Sequence, residues 1–176
     1  MIKGGKGGGN TKTGLHFEGK TDLINFLNTQ PGYTVKDNIV FYNGEEVARV
    51  FKKQGLYKFL DELGVQWNTI LSRQIFPDNC LYVIINNTLF IIEAKFQQIE
   101  GSVDEKLQTC DFKKKQYQKL MSRANIDVEY VYLLNDWFKH PKYKDVLDYI
   151  LSVGCHFYFE YIPLVKFGLP VPEADE

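Results

Sequence analysis

The sequence contains no apolar run near the roughly 18 residues that a membrane-spanning helix needs, so no membrane partner is predicted. Its first ten residues are rich in glycine and lysine and include no apolar core of a secretory signal. The three cysteines, Cys80, Cys110 and Cys155, are widely spaced and form no C-x-x-C pair, which argues against a disulfide framework and a zinc ribbon. We therefore expect a protein of the reducing cytoplasm.

Two common catalytic signatures are also missing. The Gly-rich segment 4–14 has no G-K-[S/T] ending and no predicted strand before it, so it does not fit a phosphate-binding loop. The three histidines, His16, His140 and His156, stand alone, without an H-E-x-x-H or G-x-S-x-G motif around them. The net charge is only −1, so a protein of this kind that binds nucleic acid must concentrate its lysines on one face.

What the chain does contain is enough apolar material for a core. Hydrophobic residues make up 44 % and aromatic residues 15 % of the 176 positions, which suits one globular domain. We expect a flexible Gly/Lys-rich arm over 1–13, a single domain over 14–167, and an acidic, proline-containing tail over 168–176.

Hydrophobic periodicity and turn residues predict an alternation of helices and strands. The predicted order is a helix over 15–30, a hairpin of strands 38–42 and 45–50 around Asn43-Gly44, two helices within 55–75 divided near Gly64, a hairpin of strands 81–85 and 89–95 around Asn86-Asn87, a polar loop over 97–108, a helix over 113–123, a strand over 128–134, a helix over 143–151 and a strand over 156–162. This order predicts an α/β fold in which helices flank a mixed central β-sheet.

The second hairpin carries charges where its strands should be buried. With Asn86 and Asn87 as a two-residue turn, Asp78 lies opposite Lys95, and side-chain alternation puts Asp78, Glu93 and Lys95 on one face. Both faces of these strands are otherwise apolar, as in a central sheet. Taken singly, Asp78 also suits an ordinary turn, and Glu93 with Lys95 a solvated strand end.

The combination favours a metal-dependent site, because charges at a buried strand end need a partner or a metal ion. Two carboxylates suit Mg²⁺, which binds few protein ligands and keeps several waters; we expect that Mn²⁺ can replace it. A lysine on the same face can orient a water molecule and stabilise the charge that develops on a phosphate.

Pro77-Asp78, followed after fourteen residues by Glu93-Ala94-Lys95, resembles the PD-(D/E)XK signature of the restriction-endonuclease-like nucleases, and of type II restriction endonucleases in particular. The resemblance implies a restriction-endonuclease-like core over about residues 14–135. It also implies Mg²⁺ at Asp78, Glu93 and the backbone carbonyl of Ala94, with Lys95 assisting the attacking water. Glu18 matches a supporting glutamate on the first core helix, although a glutamate in a first helical turn also suits the helix dipole.

Residues after Lys95 are candidates for contact with DNA. The segment 101–106 is similar to the Gly-Ser/Thr-x-x-Glu-Lys segments that follow the catalytic lysine in several type II restriction enzymes, although a plain polar loop is the alternative. Polar and basic side chains in and near it are suited to base edges and phosphates. The candidate DNA contacts are Gln97, Gln98, Ser102, Lys106, Lys113, Lys114, Gln116 and, in the arm, Lys12.

These features predict a Mg²⁺-dependent endonuclease that hydrolyses phosphodiester bonds of double-stranded DNA as a type II restriction enzyme. Cutting both strands suggests a two-fold homodimer, with segment 157–167 as a candidate dimer surface or, alternatively, a core strand. Two other functions stay open: a structure-specific or repair nuclease resembling a junction resolvase, and a DNA-binding module of the same fold that does not cut.

Overall fold

The computed structural model describes the backbone of residues 14–16, 23–99 and 103–172. Within these ranges the strands are β1 (Gly14–His16), β2 (Tyr33–Lys36), β3 (Ile39–Tyr42), β4 (Glu45–Phe51), β5 (Asn79–Val83), β6 (Thr88–Lys95), β7 (Asp127–Leu134), β8 (His156–Phe159) and β9 (Tyr161–Pro163). The α-helices are α1 (Leu23–Asn28), α2 (Gly55–Glu62), α3 (Val103–Leu107), α4 (Cys110–Ser122) and α5 (Lys144–Ser152), and short 3₁₀ turns lie at Trp67–Thr69, Asp136–Lys139, Pro141–Tyr143 and Leu164–Phe167.

The central sheet has seven strands in the order β2-β3-β4-β5-β6-β7-β8. Neighbours from β2 to β6 are antiparallel, whereas β6, β7 and β8 run parallel to one another. Parallel neighbours require a crossover connection, and α4 and α5 lie in these connections. The α/β fold with a mixed sheet and flanking helices is therefore confirmed.

Strand β6 is buried on both faces of the sheet. Leu89 and Ile91 pack into a core with α2, α4 and α5, whereas Phe90 and Ile92 pack into a second core with α1 and the Leu164–Phe167 turn. This confirms the expectation of a doubly covered hairpin and explains why the strand reads as an almost continuous apolar run.

Turn chemistry accounts for the outer part of the sheet. The predicted Asn43-Gly44 hairpin is present, with φ values of +50° and +87° at these two residues. The sequence analysis missed β2, which joins β3 through Asp37 and Asn38, both also at positive φ. Asp and Asn tolerate this conformation better than most residues, so the pair makes the same kind of tight turn without a glycine.

The predicted helix over 15–30 is wrong at its start. Residues Gly14–His16 form a strand that pairs with β9, and the described helix begins only at Leu23. The predicted strand over 156–162 is in turn divided at Glu160, where φ is +64°. Its first part, β8, extends the central sheet, and its second part, β9, turns away to pair with β1. Pairing between distant segments has overridden the local helical pattern here.

Smaller differences concern helix ends. The first helix within 55–75 is α2, which is followed by Gly64 at φ +72°, but the second is only the 3₁₀ turn Trp67–Thr69. The predicted polar loop over 97–108 contains the short helix α3, and the helix predicted from residue 113 begins at Cys110.

The packed domain extends past the predicted boundary at residue 167. Leu169 is buried in the second core, and the Tyr33 hydroxyl donates a hydrogen bond to the Pro170 carbonyl. The arm over 1–13 and the last four tail positions lie outside the described residues. In the described part of the chain, no helix has the length and apolar character needed to cross a membrane.

Candidate active site

The register of the β5–β6 hairpin differs from the prediction by two residues. Val83 pairs with Thr88 and Asn79 with Ile92, so the connection spans four residues, 84–87, and not two. Asn87, at φ +50°, closes the turn through a hydrogen bond from its N–H to the Ile84 carbonyl at 3.2 Å. The expected pairing of Asp78 with Lys95 was therefore wrong.

A shift of two residues preserves the face on which each side chain lies. The β5–β6 ladder ends at the pair Asn79 and Ile92, and Asp78 and Glu93 are the next residues beyond this pair. Asp78 itself is exposed and directly precedes β5.

Glu93 is the centre of the candidate site. It is 9 % exposed, near the end of β6, with β5 on one side and β7 on the other. The Lys113 ammonium, from α4, donates a hydrogen bond of 2.6 Å to its Oε1, and the Lys95 Nζ lies 3.6 Å from its Oε2. A nearly buried carboxylate is therefore held between two cations, which is the condition under which a charge tolerates burial.

The pKa of Glu93 reflects a competition between burial and these partners. Burial is the largest single effect and raises the pKa of the carboxyl group. The charge of Lys95, the hydrogen bond from Lys113 and the Tyr130 hydroxyl lower it, and together they prevail, so the pKa lies below its usual value. Glu93 is therefore ionised at neutral pH, as a metal ligand must be.

Three buried tyrosines lie near the Glu93 carboxylate. Tyr117, Tyr130 and Tyr132 are all buried, and burial followed by nearby negative groups raises the pKa of each hydroxyl, which keeps it protonated. Both Glu93 and Asp78 contribute to raising the pKa of Tyr117, after burial and other neighbours. Both carboxylates therefore lie near the same hydroxyl group, in agreement with the register.

The residues present fit a hard divalent cation. Glu93 Oε2 is buried, and its two neighbours, Lys95 Nζ at 3.6 Å and the Tyr130 hydroxyl, do not meet it in good hydrogen-bond geometry. A buried carboxylate oxygen without a donor has room for a cation in its coordination sphere. The predicted ligands, Asp78, Glu93 and the Ala94 carbonyl, would supply only oxygen donors, which Mg²⁺ prefers. Among the described residues, no group of three or more His, Cys, Asp or Glu side chains that could hold a metal ion is present, at this site or elsewhere.

Gln97 was predicted to contact base edges, but its side chain points into the protein. Its side chain is buried, and its amide donates a hydrogen bond to the Ile99 carbonyl at 2.9 Å. Asn135, just after β7, holds the same residue through its backbone: Asn135 Nδ2 donates to the Gln97 carbonyl at 2.8 Å, and the Gln97 N–H donates to Asn135 Oδ1 at 3.3 Å. Gln97 thus fixes the loop that leaves Lys95.

The lysines of α4 have two different roles. Lys113, predicted as a DNA contact, binds Glu93. Lys114, with a side chain 13 % exposed, donates to the Gly154 carbonyl at 2.6 Å and pairs with Glu129 at 3.3 Å. Its prediction as a DNA contact is therefore corrected, because it ties α4 to the segment before β8.

Other predicted contacts differ in accessibility. Gln98 and Lys106 are exposed, and Gln116 is half-exposed on α4. Glu18, Lys12 and Ser102 lie outside the described residues, so these predictions stay as predictions.

The sequence analysis missed the partners of Glu93. Lys113 and Tyr117 are four residues apart on α4, and this spacing places both side chains on one face of the helix. The spacing was the signal from which a shared role of the two residues could have been predicted. Tyr130 shares the inward face of β7 with Tyr132, but nothing in its local sequence separates it from an ordinary core residue.

A comparison with known families agrees with this geometry. The family model described as a PD-(D/E)XK nuclease superfamily domain matches residues 32–129, more than half of the chain, including Asp78, Glu93, Lys95 and Lys113. No curated protein and no solved structure matches the chain significantly. With a mixed sheet flanked by helices and the family model aligned across it, the chain belongs to the PD-(D/E)XK nuclease superfamily.

Proposed function

We propose that this protein is a Mg²⁺-dependent endonuclease that hydrolyses phosphodiester bonds of double-stranded DNA at Asp78, Glu93 and Lys95. The observation that carries the proposal is the state of Glu93, which is 9 % exposed, lies between two ammonium groups and, like Asp78, is one residue beyond the last pair of the β5–β6 ladder. A structural role alone would not require this concentration of charge at the end of a doubly buried strand.

Each residue has a distinct role in the proposed reaction. Asp78, Glu93 and the Ala94 carbonyl would hold Mg²⁺, and Mn²⁺ would be accepted in its place. The bound ion would supply Lewis-acid activation of a water molecule and neutralise phosphate charge. Lys95 orients the attacking water and stabilises negative charge at phosphorus. The water oxygen bonds to phosphorus, a phosphorus–oxygen ester bond breaks, and a proton passes to the leaving oxygen.

Lys113 holds the Glu93 carboxylate ionised and in position before substrate arrives. Its side chain is 37 % exposed, so it can exchange Oε1 of Glu93 for a phosphate oxygen or a water molecule at little cost. This assigns Lys113 a positioning role in the centre of the site, in place of a general attraction to DNA.

We infer further that cleavage is sequence-specific and that the active form is a homodimer, as in a type II restriction endonuclease. The exposed Gln98 and Lys106 follow the catalytic strand and support contact with a duplex beside the cut. Strand β8 lies at one edge of the described sheet with half-buried aromatic residues, which supports a two-fold contact through this edge.

A structure-specific nuclease is the second candidate, and two observations favour it. The inward orientation of Gln97 leaves only one of the paired glutamines able to reach a base edge. A large aromatic side chain, Phe112, is exposed directly beside Lys113.

The test is cleavage of phage DNA, plasmid DNA and a four-way junction with Mg²⁺, with Mn²⁺ and with EDTA. Discrete bands that EDTA abolishes would support the restriction enzyme, and preference for the junction would support the second candidate. Tight binding without cutting would identify a non-cleaving module. Lys95→Ala should abolish cleavage, whereas Lys166→Ala, at an exposed lysine of the Leu164–Phe167 turn, should not; full activity of Lys95→Ala would contradict the assigned site.

A further inference from the structure

Three exposed phenylalanines, Phe76, Phe96 and Phe112, lie within two residues of candidate site residues in the sequence. Phe112 is 64 % exposed and directly precedes Lys113 on α4, and Phe76 is 49 % exposed and lies two residues before Asp78. A single exposed apolar side chain carries little information in most proteins. Here, however, Phe112 and Phe76 are next to the residues that hold and flank the carboxylates.

The geometry of α4 places Phe112 on the exposed surface of the helix, on the half that also includes Lys113. Cys110, Tyr117, Leu120 and Met121 form its buried face. Residues three and four apart are neighbours on a helix, so Gln116 adjoins both Phe112 and Lys113 on one flank. Lys113 contacts Glu93 from that flank, and Lys114 leaves the opposite flank to reach the Gly154 carbonyl. Phe112 therefore lies on the solvent-facing surface of α4, separated from Lys113 by Gln116 and on the half of the helix away from Lys114.

Phe76 is fixed on the approach to β5. Its ring meets the Tyr57 ring edge-on, with 5.7 Å between centroids. The Tyr57 hydroxyl in turn accepts a hydrogen bond from the Ile75 N–H at 2.7 Å and donates to the Ile75 carbonyl at 2.9 Å. The exposed ring is thus held by a rigid segment that leads through Pro77 to Asp78.

Aromatic rings that lie beside phosphate-binding groups can stack on bases that are not already stacked in a duplex. In a paired double helix the faces of the bases are covered by their neighbours, so a side chain meets a base face only where the stack is opened. Cations that hold a backbone, combined with aromatic side chains that receive bases, are the means by which proteins bind single strands. Lys95 and Lys113 supply such cations, and Phe112 and Phe76 supply the aromatic surfaces.

We propose that the site engages DNA whose bases next to the scissile phosphate are unpaired, with Phe112 stacking on one base and Phe76 on another. This inference rests on the second candidate above, the structure-specific nuclease, and names the form of its substrate. A fully paired duplex would be cut only where it opens, and a mismatch, bubble or single-stranded segment would be the preferred target.

Binding separates this inference from cleavage. Oligonucleotides of one sequence are prepared as a single strand, as a duplex and as a duplex with a two-base bubble, each with 2-aminopurine at the tested base. With EDTA present, the wild type should bind the single strand and the bubble more tightly than the duplex, and the base analogue should report stacking. Phe112→Ala should weaken binding to the first two roughly tenfold and leave the duplex unchanged.

Further variants distinguish stacking from simple apolar contact. Phe112→Trp should preserve the preference for unpaired bases, Phe112→Leu should lose it as Phe112→Ala does, and Phe76→Ala should reduce it independently. Leu151→Ala, at an exposed apolar residue of α5, is the matched control and should behave as wild type. Equal binding of all three DNA forms by the wild type, or wild-type behaviour of Phe112→Leu, would overturn the inference.

The two proposals fail in different ways. If no metal ion supports cleavage but the ring variants lose the preference for unpaired bases, the inference stands and the nuclease proposal fails. If the protein cuts paired and unpaired DNA equally and Phe112→Ala has no effect on either, the nuclease proposal stands and the inference fails.

Discussion

The two ends of the β5–β6 hairpin are built on opposite principles. At the turn end, polar groups are bonded within the protein: the Tyr82 hydroxyl donates to Asn87 Oδ1 at 2.9 Å, Asn87 Nδ2 to the Asn125 carbonyl at 2.6 Å, and Asn86 Nδ2 to the Phe167 carbonyl at 3.0 Å. At the open end, several buried polar atoms have no hydrogen-bond partner. These atoms are Asn79 Oδ1, Glu93 Oε2, Gln97 Oε1 and the Tyr130 hydroxyl oxygen.

The turn end of the hairpin therefore serves stability, whereas the open end carries the candidate active site. Buried polar atoms normally find partners, since leaving one without a partner costs about 1–3 kcal/mol. The turn end meets this requirement and fixes the register. The open end leaves it unmet beside Glu93, where Lys95 and Lys113 converge on one carboxylate, and this would be expected of a site completed by a ligand.

The largest predicted effect comes from a substitution at the open end that removes activity without changing the fold. Lys95→Ala should reduce the rate of Mg²⁺-dependent DNA cleavage by about 10³-fold, because the group that orients the water and stabilises phosphate charge is lost. Single-turnover cleavage measures the rate. Asn86→Ala, at the turn end, is the counterpart: it should lower the melting temperature and keep nearly full activity at a permissive temperature. Equal losses of activity in both variants would contradict the division between the two ends.

The next largest effect is a loss of stability caused by substitutions at the turn end. Asn87→Ala removes both side-chain hydrogen bonds and puts alanine at φ +50°, so the free energy of unfolding should fall by about 2–3 kcal/mol. Asn87→Gly also loses the hydrogen bonds but tolerates the backbone conformation, so it should be about 1 kcal/mol more stable than Asn87→Ala. Urea unfolding measures the stability of both variants. If Asn87→Gly were less stable than Asn87→Ala, the positive φ at this position would not be the reason that asparagine is favoured there.

A smaller effect tests the pairing of Glu93 with α4. Lys113→Met leaves the Glu93 carboxylate with one cation, so without metal the protein should lose about 1–2 kcal/mol of stability, less than for a fully buried pair because the Lys113 side chain is 37 % exposed. Added Mg²⁺ should then stabilise this variant more than the wild type, because the ion replaces the missing charge. Thermal unfolding with and without MgCl₂ measures the difference.

The adjacent lysine supplies the control for this experiment. Lys114→Met also removes a nearly buried lysine of α4, but one that pairs with Glu129 and the Gly154 carbonyl. It should destabilise the protein by a similar amount without changing the response to Mg²⁺. An identical response in the two variants would mean that Lys113 has no special relation to the metal site.

Local rules explain which parts of this fold and site were predictable. The apolar alternation of β6 and the Asn43-Gly44 turn depend on neighbouring residues, so the sequence indicated both. The length of the second turn depends on Asn87 bonding to Asn125, 38 residues away, and was predicted wrongly. The common face of Asp78 and Glu93 stays a prediction, and the observed register is compatible with it because an error of two residues leaves the alternation of side chains intact.

Contacts between distant segments explain what was missed. Leu15 and His16 become a strand only because β9 turns at Glu160 to meet them. Lys113 becomes a partner of Glu93 because α4 packs against β7, the neighbour of β6, and Asn135 holds the Gln97 loop because β7 ends beside it. Propensity and periodicity carry no information about such pairings.

The smallest predicted effect concerns pH and the open end of the hairpin. The pKa of Glu93 is lowered, because Lys95, Lys113 and Tyr130 outweigh the opposing effect of burial. The folded protein then binds this proton less readily than the unfolded chain, so Glu93 stabilises the fold above its unfolded pKa of about 4.5, and the contribution is lost as the pH falls through the lower folded value. Urea unfolding between pH 3 and 7 without metal should therefore give a shallower acid-side slope for Glu93→Gln than for the wild type. Glu129→Gln removes a carboxylate from the adjacent strand β7 as the control, and an equal change of slope in both variants would attribute the effect to net charge and not to the contacts of Glu93.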